Sequence, residues 1–450
     1  MSKTIFAKTI RKIRDLGKEK KGIFVCNLDL KKSFKVGDNV EYIYDFKNKQ
    51  IDIIKKIDGT HRVSFRKSEP DKPILDIKNK TVYELFKDAE KVEICFAENR
   101  VVVRLSTNQK LQNTRENNYG LSTFELFCGG ATLSKMFRQA GFTPVGGIEI
   151  NEKCLELAEL NHDTFKYTIL ADIRDIHPTD YPKNINTLLV GIPCQPYSKG
   201  NITMQTALKN QREGTETVED LENLENRYEA EALVFFILES IRHINPQNIV
   251  FEEVMSFSST NACGLLRSVL SYMGYNLLET IEEGSHTKRK RWTMIATALK
   301  SSINLENLLP KTDKTIEDFL VIKSKDREWK RIEDVPRLLS ASRKPTVGVR
   351  SCLPTDIKAN TFTTHRTRSS EQALRKSKDE ELYSEFTDEE IANIHGLVDY
   401  KLTNTAKWNR YVLGNGVTDM FFYIAKRLKQ AIISEYNQFK TKEATISLVA

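Results

Sequence analysis

Residues 122–150 read STFELFCGGATLSKMFRQAGFTPVGGIEI, and this stretch decides the fold of the larger part of the chain. An apolar run is followed by a turn with two glycines, an amphipathic run, and a second apolar run that ends at Glu149. That order predicts strand, turn, helix and strand. We predict an α/β fold with a parallel, doubly wound sheet, because the alternation continues in later segments. Those segments read NEKCLELAELNH, NTLLVGI, EAEALVFFILESIRHI, NIVFEEV, GLLRSVLSYMGY and TMIATAL.

Composition and pattern divide the chain into four predicted regions. Short β-type runs between charged turns predict a small, mostly β domain over residues 1–115, and the polar stretch STNQKLQNTRENNYG, which starts at Ser106, is predicted to be a linker. The strand and helix alternation occupies residues 120–300. Residues 301–375 lose it and are rich in Lys, Arg, Ser and Thr. Helical patterns return over residues 376–450, which we expect to complete the α/β domain.

Charge is unevenly distributed along the chain. The whole sequence has 69 Lys and Arg against 61 Asp and Glu, but residues 1–120 alone have 27 against 17, a net charge of +10. Clustered positive charge attracts nucleic acid because each neutralised phosphate releases counterions. A basic region is also typical of an ordinary solvated surface, so DNA binding and dimerisation both stay open for the N-terminal domain.

The sequence offers no sign of a membrane segment or a metal centre. It lacks an apolar leader and any run of about 18 apolar residues, which predicts a cytoplasmic protein without a membrane partner. The seven cysteines are scattered and show no CxxC spacing, so we predict neither a zinc site nor a disulfide framework.

Polar or glycine residues follow the first three predicted strands of the α/β region. The first strand runs into Gly129 and Gly130, where backbone can approach a ligand closely. Glu149 ends the second strand, where a carboxylate can accept ribose hydroxyls, and Asp172 follows the third, in reach of an adenine amino group. The carboxyl ends of parallel strands meet at one edge, which predicts a nucleoside-containing cofactor. A dinucleotide is not excluded by these residues.

A cysteine follows the fourth predicted strand in an unusual loop. Residues 189–198 read LVGIPCQPYS, with Cys194 between two prolines. This loop resembles the nucleophile loop of the cytosine-5 DNA methyltransferases. Other blocks of that family occur in the family's order between residues 122 and 430. They are FCGGAT at 127–132, Glu149, Asp172, FEEV at 251–254, RKR at 289–291 and GNGV at 414–417.

The resemblance implies a Rossmann-like class I methyltransferase sheet that uses S-adenosyl-L-methionine, with residues 301–375 as a small target-recognition region. It implies a DNA (cytosine-5)-methyltransferase that acts on a cytosine flipped out of the duplex. Cys194 is the expected nucleophile and Glu252 the expected acid at the cytosine ring. Arg289 and Arg291 alternate in the predicted strand, so we expect both to face the site and to fix these groups.

The same resemblance assigns two further sets of residues. Those expected to bind the cofactor are Phe127, Gly129, Gly130, Glu149, Ile150, Asp172, Ile173, Pro193, Asn415 and Val417. Those expected to bind DNA are Gln195, Ser198, Lys199, Arg343, Lys344, Arg350, Arg366 and Arg368. Asn415 has a second interpretation, as a cap of the last helix.

Residues 197–226 are predicted to form a polar loop that closes over the flipped base. The carboxylates in its second half are expected to face solvent or to cap the following helix. Double-stranded DNA is the expected partner, and a cognate restriction endonuclease is a candidate partner in a prokaryotic or phage restriction-modification system, with the protein at the nucleoid.

Two positions depart from the family pattern. Glu253 stands where the family has Asn, and we expect it to point away from the pocket because adjacent strand residues face opposite sides. Thr287 replaces a Gln. Each motif also has a simpler interpretation: Cys194 as a buried thiol, and the arginines as a solvated basic patch. Two other functions stay open, an RNA cytosine-5 methyltransferase and a catalytically silent nucleic-acid-binding regulator.

Overall fold

A computed structural model places the chain in two compact units, Met1–Thr114 and Arg115–Ala450. The residues that the structure describes are 4–116, 118–198, 201–335, 338–339, 350–364 and 372–449.

The first unit is built from two antiparallel sheets with short helices. Its strands are β1 Ala7–Lys12, β2 Arg14–Asp15, β3 Lys21–Val25, β4 Asn39–Asp45, β5 Gln50–Lys55, β6 His61–Arg62, β7 Ser64–Arg66, β8 Glu69–Asn79, β9 Lys91–Ala97 and β10 Arg100–Leu105. Its helices are α1 Leu28–Ser33 and α2 Lys80–Leu85. The larger sheet has the order β1-β9-β10-β5-β4-β6, and the smaller has the order β2-β3-β8-β7. The prediction of a mostly β N-terminal region is confirmed.

The segment predicted as a linker is helical. Helix α3, Thr107–Glu116, runs across the division between the units. The side chain of Ser106 accepts a hydrogen bond from the backbone N–H of Gln109 at 3.2 Å, which caps the first turn. A polar composition concealed this helix, because only Arg115 among its residues is buried.

Arg115, the first residue of the second unit, is 1% exposed. Its guanidinium donates to Oδ1 of Asn245 at 3.2 Å and to the carbonyl of Met273. It also lies over the ring of Tyr275, 4.1 Å from the centroid. Arg115 therefore belongs to the interior of the α/β unit.

The second unit contains the predicted α/β sheet. Its strands are β11 Ser122–Leu126, β12 Thr143–Glu149, β13 Tyr167–Leu170, β14 Thr187–Gly191, β15 Asn248–Glu253, β16 Asn276–Glu282 and β17 Arg291–Thr297. The order is β13-β12-β11-β14-β15-β17-β16. The first five strands are parallel, whereas β17 runs antiparallel to both of its neighbours. The predicted α/β class is confirmed, with one reversed strand in the sheet.

Helices cover both faces of this sheet. They are α4 Thr132–Gln139, α5 Glu152–Asn161, α6 Ile202–Glu213, α7 Val218–Ile244, α8 Asn261–Tyr272, α9 Ile316–Phe319, α10 Asp388–His395, α11 Ala406–Asn415 and α12 Met420–Val449. Leu189 and Val250 pack on one face with residues of α4 and α12. Val190 and Phe251 pack on the other face with residues of α7 and α8. Side chains of both faces are therefore buried in the central strands.

A small sheet lies between β17 and the C-terminal helices. Its strands are β18 Lys330–Arg331, β19 Arg350–Cys352, β20 Gln372–Arg375 and β21 Leu382–Glu385, in the order β18-β21-β20-β19. The sequence predicts a continuous helix through LYSEFTDEEIANIHG, but its first part is strand β21. Helix α10 begins after Thr387, whose side chain and that of Glu390 form a capping box.

Across the described ranges, no helix combines the length and apolar character needed to cross a membrane. Within the same ranges, no group of three or more His, Cys, Asp or Glu side chains could hold a metal ion.

Candidate active site

The turn after β11 has an unusual backbone. Phe127, Gly129 and Ala131 have φ angles of +56°, +52° and +53°, in the left-handed region. That region costs a residue with a side chain about 1 kcal/mol or more, so two of the three positions are strained. Helix α4 begins directly after Ala131. The turn thus exposes its backbone at the carboxyl edge of the sheet, where ligands of such sheets bind.

Residues in the C-terminal part of the unit contact Gly130 closely. Its carbonyl accepts a hydrogen bond from the hydroxyl of Tyr400 at 2.7 Å. A Cβ at this position would lie 2.3 Å from Cγ1 of Val412. The next contact is made by Thr132, whose hydroxyl accepts from the backbone N–H of Val417 at 3.2 Å. The glycine turn and the region around α11 therefore form one wall.

Two carboxylates stand at the ends of the next strands. Glu149 accepts from the backbone N–H of Gly129 at 2.7 Å and from that of Asn151 at 2.9 Å. Asp172 accepts from Nε and Nη2 of Arg174, at 3.0 and 2.7 Å, and its pKa is lowered by this guanidinium. Arg174 thus forms an ion pair with Asp172, the carboxylate that the sequence analysis expects to accept from an adenine amino group.

These strand ends surround a cavity of about 710 Å³, which suits a ligand of drug-like size. All ten residues predicted to bind the cofactor line it, and so do Cys194, Glu252 and Gln195. The structure therefore brings the predicted nucleophile, the predicted acid and the predicted cofactor residues to one space.

Cys194 lies in a compact turn after β14. Its carbonyl accepts from the backbone N–H groups of Tyr197 and Ser198, both at 3.0 Å. The ring of Tyr197 is 1% exposed and packs edge-on against Phe257, with centroids 5.1 Å apart. The hydroxyl of Ser256 donates to the carbonyl of Tyr197. The segment after β15 therefore fixes the loop that carries the cysteine.

The electrostatic surroundings of Cys194 disfavour a resting thiolate. Burial raises the pKa of the thiol, and the Glu253 carboxylate raises it further. The guanidiniums of Arg291 and Arg289 lower this pKa, while Glu252 raises it.

Glu252 is tied to Arg291 across the sheet. Its Oε1 accepts from Nε of Arg291 at 2.6 Å, and each side chain is 9% exposed. Arg291 also donates to the carbonyl of Lys290 at 2.9 Å. The pair lies on adjacent antiparallel strands, β15 and β17, and Glu252 forms part of the cavity wall.

Arg289 is buried behind this pair and lies outside β17, which begins at Arg291. The preceding segment pairs with the segment between β19 and β20 instead: the N–H of Lys288 donates to the carbonyl of Ala359 at 2.8 Å. The prediction that Arg289 and Arg291 alternate on one strand is therefore wrong. Arg289 donates from Nη1 to the carbonyl of Phe362 at 3.3 Å, and burial lowers its pKa. Neither arginine lines the cavity.

Thr287, the second departure from the family pattern, is fully buried. It forms an isolated parallel bridge with Ala359, and its hydroxyl donates to the carbonyl of Asn360 at 3.3 Å. This side chain therefore supports the segment between β19 and β20.

Residues 201–226 do not form the predicted loop: they contain α6, a short connection at 214–217 and the start of α7. Asn201 caps α6 by accepting from the N–H of Met204 at 3.1 Å, and its Nδ2 donates to the carbonyl of Gln195 at 3.2 Å. Thr217 and Asp220 form the capping box of α7, which bears out the capping role expected for part of the acidic stretch. The two helices pack together beside the nucleophile loop.

Helix α7 contacts the loop directly. Arg227 lies over the ring of Tyr197, 5.5 Å from its centroid, and its Nε donates to Glu231 at 3.1 Å. Asn223, Asn226 and Glu229 of this helix line the cavity. Reasoning from the sequence missed these polar residues, because a polar stretch gives no apolar period that would reveal a helix face.

The predicted DNA-binding residues are only partly described. Gln195 is exposed at the cavity, Ser198 is half-buried in the turn of Cys194, and Arg350 is exposed on β19. The other five lie outside the described residues: Lys199, Arg343, Lys344, Arg366 and Arg368.

Asn415 is the last residue of α11 and does not cap α12, which begins at Met420. It lines the cavity together with Tyr411 and Val412, which the sequence analysis did not single out. The signal for both was present, since residues three and four before Asn415 on a helix share its face.

Comparisons with known proteins agree with this arrangement. A family model described as C-5 cytosine-specific DNA methylase matches residues 121–430. A search of curated protein sequences gave no significant match. The crystal structure of the S. pombe Dnmt2 methyltransferase is similar with a TM-score of 0.53 and 20% identity, over 70% of this chain and 98% of that chain. The Entamoeba histolytica methyltransferase EhMeth is similar with a TM-score of 0.52 and 17% identity, over 70% and 99% of the two chains.

Proposed function

The chain belongs to the C-5 cytosine-specific DNA methylase family, and from this premise we propose that it methylates carbon 5 of cytosine in DNA, with Cys194 as covalent nucleophile. The observation that carries the proposal is the shared cavity. Cys194, Glu252 and the strand ends with Glu149 and Asp172 all line it. These four groups are spread over 104 positions of the sequence, from Glu149 to Glu252, and the fold brings them together.

Cys194 activates the cytosine ring by adding its thiolate to carbon 6. Carbon 5 of the free base is a poor nucleophile, and the addition makes it part of an enamine that can accept a methyl group. Water then takes the proton from carbon 5, and elimination of the Cys194 sulfur releases the product. Because the resting thiol has a raised pKa, the addition depends on charge neutralisation at the base.

Glu252 supplies that neutralisation after taking up a proton from solvent: its protonated carboxyl donates to N3 of the cytosine as carbon 6 is attacked. The contact with Arg291 at 2.6 Å holds one oxygen of its carboxyl in place. Arg289, buried behind it, adds positive charge near the ring without lining the cavity. Fixed dipoles and charges of this kind act on the transition state without reorganisation cost.

The cavity fits S-adenosylmethionine by its size and its donors and acceptors. The turn at Gly129 and Gly130 offers close backbone approach, and the Glu149 carboxylate stands where ribose hydroxyls are bound in such sheets. Asp172 can accept from the adenine amino group once Arg174 releases it. When bound, this cofactor supplies an electrophilic methyl group.

A cytosine reaches this cavity only outside the base stack, so the substrate must be flipped or single-stranded there. We propose residues 301–375 as the target-recognition region and the basic N-terminal unit as a second contact with the nucleic acid. A restriction-modification role would add a cognate endonuclease that reads the same sequence.

The proposal is tested by incubating the protein with duplex DNA and methyl-labelled S-adenosylmethionine, scoring 5-methylcytosine by mass. Cys194→Ala removes the nucleophile, and Cys26→Ala, a half-exposed cysteine of the first unit, is the matched control. Product with the parent chain and Cys26→Ala but not with Cys194→Ala supports the proposal. If product forms on RNA and not on DNA, the substrate is RNA. If the protein binds the cofactor but forms no product on either polymer, it is a catalytically silent regulator.

A further inference from the structure

Glu253 is the last residue of β15 and is fully buried. It stands opposite Trp292 in the antiparallel register with β17. Side chains two apart on a strand share a face, so Glu253 lies on the side of Phe251. The buried cluster on that side contains Phe251, Trp292 and Tyr197 of the nucleophile loop. As expected, Glu253 points away from the cavity, which Glu252 lines, but the face on which it lies packs against the loop that carries Cys194.

The carboxyl of Glu253 is incompletely bonded. Its Oε2 accepts from the backbone N–H of Val254, whereas Oε1 is buried and has no hydrogen-bond partner among the described residues. The hydroxyl of Tyr197 is also buried and has no hydrogen-bond partner among the described residues. A buried charge without partners costs several kcal/mol, whereas a neutral acid costs much less.

The charged and titratable groups around Glu253 come from each neighbouring element. They are Glu252 on the same strand, Arg291 of β17, Cys194 and Tyr197 of the nucleophile loop, and Cys263 of α8. Arg291 is the only cation of this set, and it is already bonded to Glu252.

This environment favours the protonated acid. Burial, followed by the charge of Glu252, raises the pKa of Glu253 to about 9. At neutral pH its side chain therefore has one O–H donor and one carbonyl acceptor, as a carboxamide does. The family's Asn and this Glu are then equivalent in charge, although they differ in sequence.

The two protonation states of Glu253 act differently on Cys194. After burial, the Glu253 carboxylate makes the largest contribution to the raised pKa of the Cys194 thiol, ahead of both arginines. The neutral acid has no such effect. Ionising one group therefore opposes ionisation of the other.

We propose that Glu253 is a positioning residue that supports the nucleophile loop as a neutral acid, and that its ionisation above neutral pH suppresses thiolate formation at Cys194. Its meaning for catalysis rests on the proposed role of Cys194 as nucleophile. The coupling itself is a property of the protein alone and can be measured without cofactor or nucleic acid.

The test is the rate at which iodoacetamide alkylates Cys194, followed by peptide mass mapping between pH 6.5 and 10. Glu253→Gln keeps a neutral side chain of nearly the same shape. At pH 7 we expect its rate to lie within about twofold of the parent rate, because Glu253 is then neutral in both. At pH 9.5 we expect Glu253→Gln to react about three- to tenfold faster, since a shift of one pKa unit is a factor of ten.

Glu159→Gln, an exposed substitution on α5, is the matched control and should follow the parent chain at every pH. A purely structural role for Glu253 would change the rate by the same factor at all pH values, or not at all, and either result overturns the inference. If Glu253→Gln does not fold, Glu253→Asn provides the second neutral variant.

The parent chain gives a further check. Its Cys194 titration should be broader than a single ionisation, and a single-ionisation curve overturns the coupling. The outcome is independent of the methyl-transfer assay. Divergent alkylation profiles with no 5-methylcytosine would support this inference and contradict the proposed function, and parallel profiles with product would do the reverse.

Discussion

Glu252 and Arg291 form a buried ion pair, with Nε of the arginine 2.6 Å from Oε1 of the carboxylate. They lie on adjacent strands, so their approach is set by the backbone ladder of β15 and β17 and does not depend on a loop. Removing one partner of a buried pair leaves an uncompensated charge, which costs about 3–5 kcal/mol. The pair therefore combines support of the sheet with control of the candidate acid.

For the acid itself, we expect Glu252→Gln to lower the rate constant of methyl transfer by about 10²–10⁴-fold, the usual contribution of a positioned acid. Cofactor affinity should change by less than about twofold, because the amide still fills the cavity wall. Single-turnover kinetics and calorimetric cofactor binding separate the two effects. Glu159→Gln, an exposed substitution on α5, is the control. A Glu252→Gln variant with parental turnover would remove Glu252 from the mechanism.

The two glycines of the first turn should respond differently to alanine. At Gly130 a Cβ would lie 2.3 Å from Val412 and 2.5 Å from the hydroxyl of Tyr400, and overpacking of this kind costs about 1–3 kcal/mol. At Gly129 a Cβ would meet no atom within 4 Å, and the cost is the left-handed φ alone, about 1 kcal/mol. Thermal unfolding should rank Gly130→Ala as less stable than Gly129→Ala. Equal stabilities would show that the side chains around Val412 move to make room for the added methyl group.

Arg174 should compete with the cofactor for Asp172. An exposed ion pair is worth about 0.2–1 kcal/mol, so Arg174→Gln should tighten S-adenosylmethionine binding by up to about fivefold at low salt. The gain should shrink as salt screens the pair. Arg242→Gln, an exposed arginine of α7, serves as the control for net charge. Weaker binding by Arg174→Gln would mean that the guanidinium contacts the cofactor.

Stability should fall as pH rises from 7 to 9. Burial raises the pKa of Glu125 to about 8 and that of Glu253 to about 9, against 4.5 for an unperturbed glutamate. Over this window the folded protein keeps protons that the unfolded chain has released, so the free energy of unfolding decreases with pH. His162 and His395, with pKa values lowered to about 4 and about 3, act in the opposite sense only below pH 6.5.

Denaturant unfolding at several pH values measures this slope. Glu125→Gln should flatten it by up to about 1.4 kcal/mol per pH unit, while Glu159→Gln should leave it unchanged. The hydroxyl of Ser134 can still bond a glutamine at position 125, where it now donates to the carboxyl at 2.5 Å. An unaltered slope in Glu125→Gln would mean that Glu125 is ionised in the folded protein.

The strand ends of the site were predictable because each is a local signal. The glycines at 129–130, Glu149 and Cys194 each follow an apolar run, and parallel strands bring their carboxyl ends together. The neighbours of Glu253 were not predictable in this way. Alternation and a doubly wound sheet predict that Glu253 is buried on the face opposite Glu252, but they do not show that Tyr197 packs on that face.

Helices α6 and α7 illustrate a second limit. The stretch that forms them has few apolar residues before Ala230, so its period is weak. Asn201 caps α6 and Thr217 caps α7. A hydrogen bond joins the two helices, in which Nδ2 of Asn210 donates to Asp220 at 2.8 Å. Such contacts depend on residues that also occur in loops. The sequence therefore predicted which residues meet at the cavity better than the helices that surround it.

The burial of Arg115 has a practical consequence for genetic truncation. A gene fragment designed on the domain boundary suggested by the sequence would start at residue 120 and omit this arginine. Asn245 and the carbonyl of Met273 would lose a donor, and Tyr275 would lose the cation over its ring. A fragment that begins at or before Ser106 keeps both Arg115 and the cap of its helix, and is the better starting point for expressing the catalytic unit by itself.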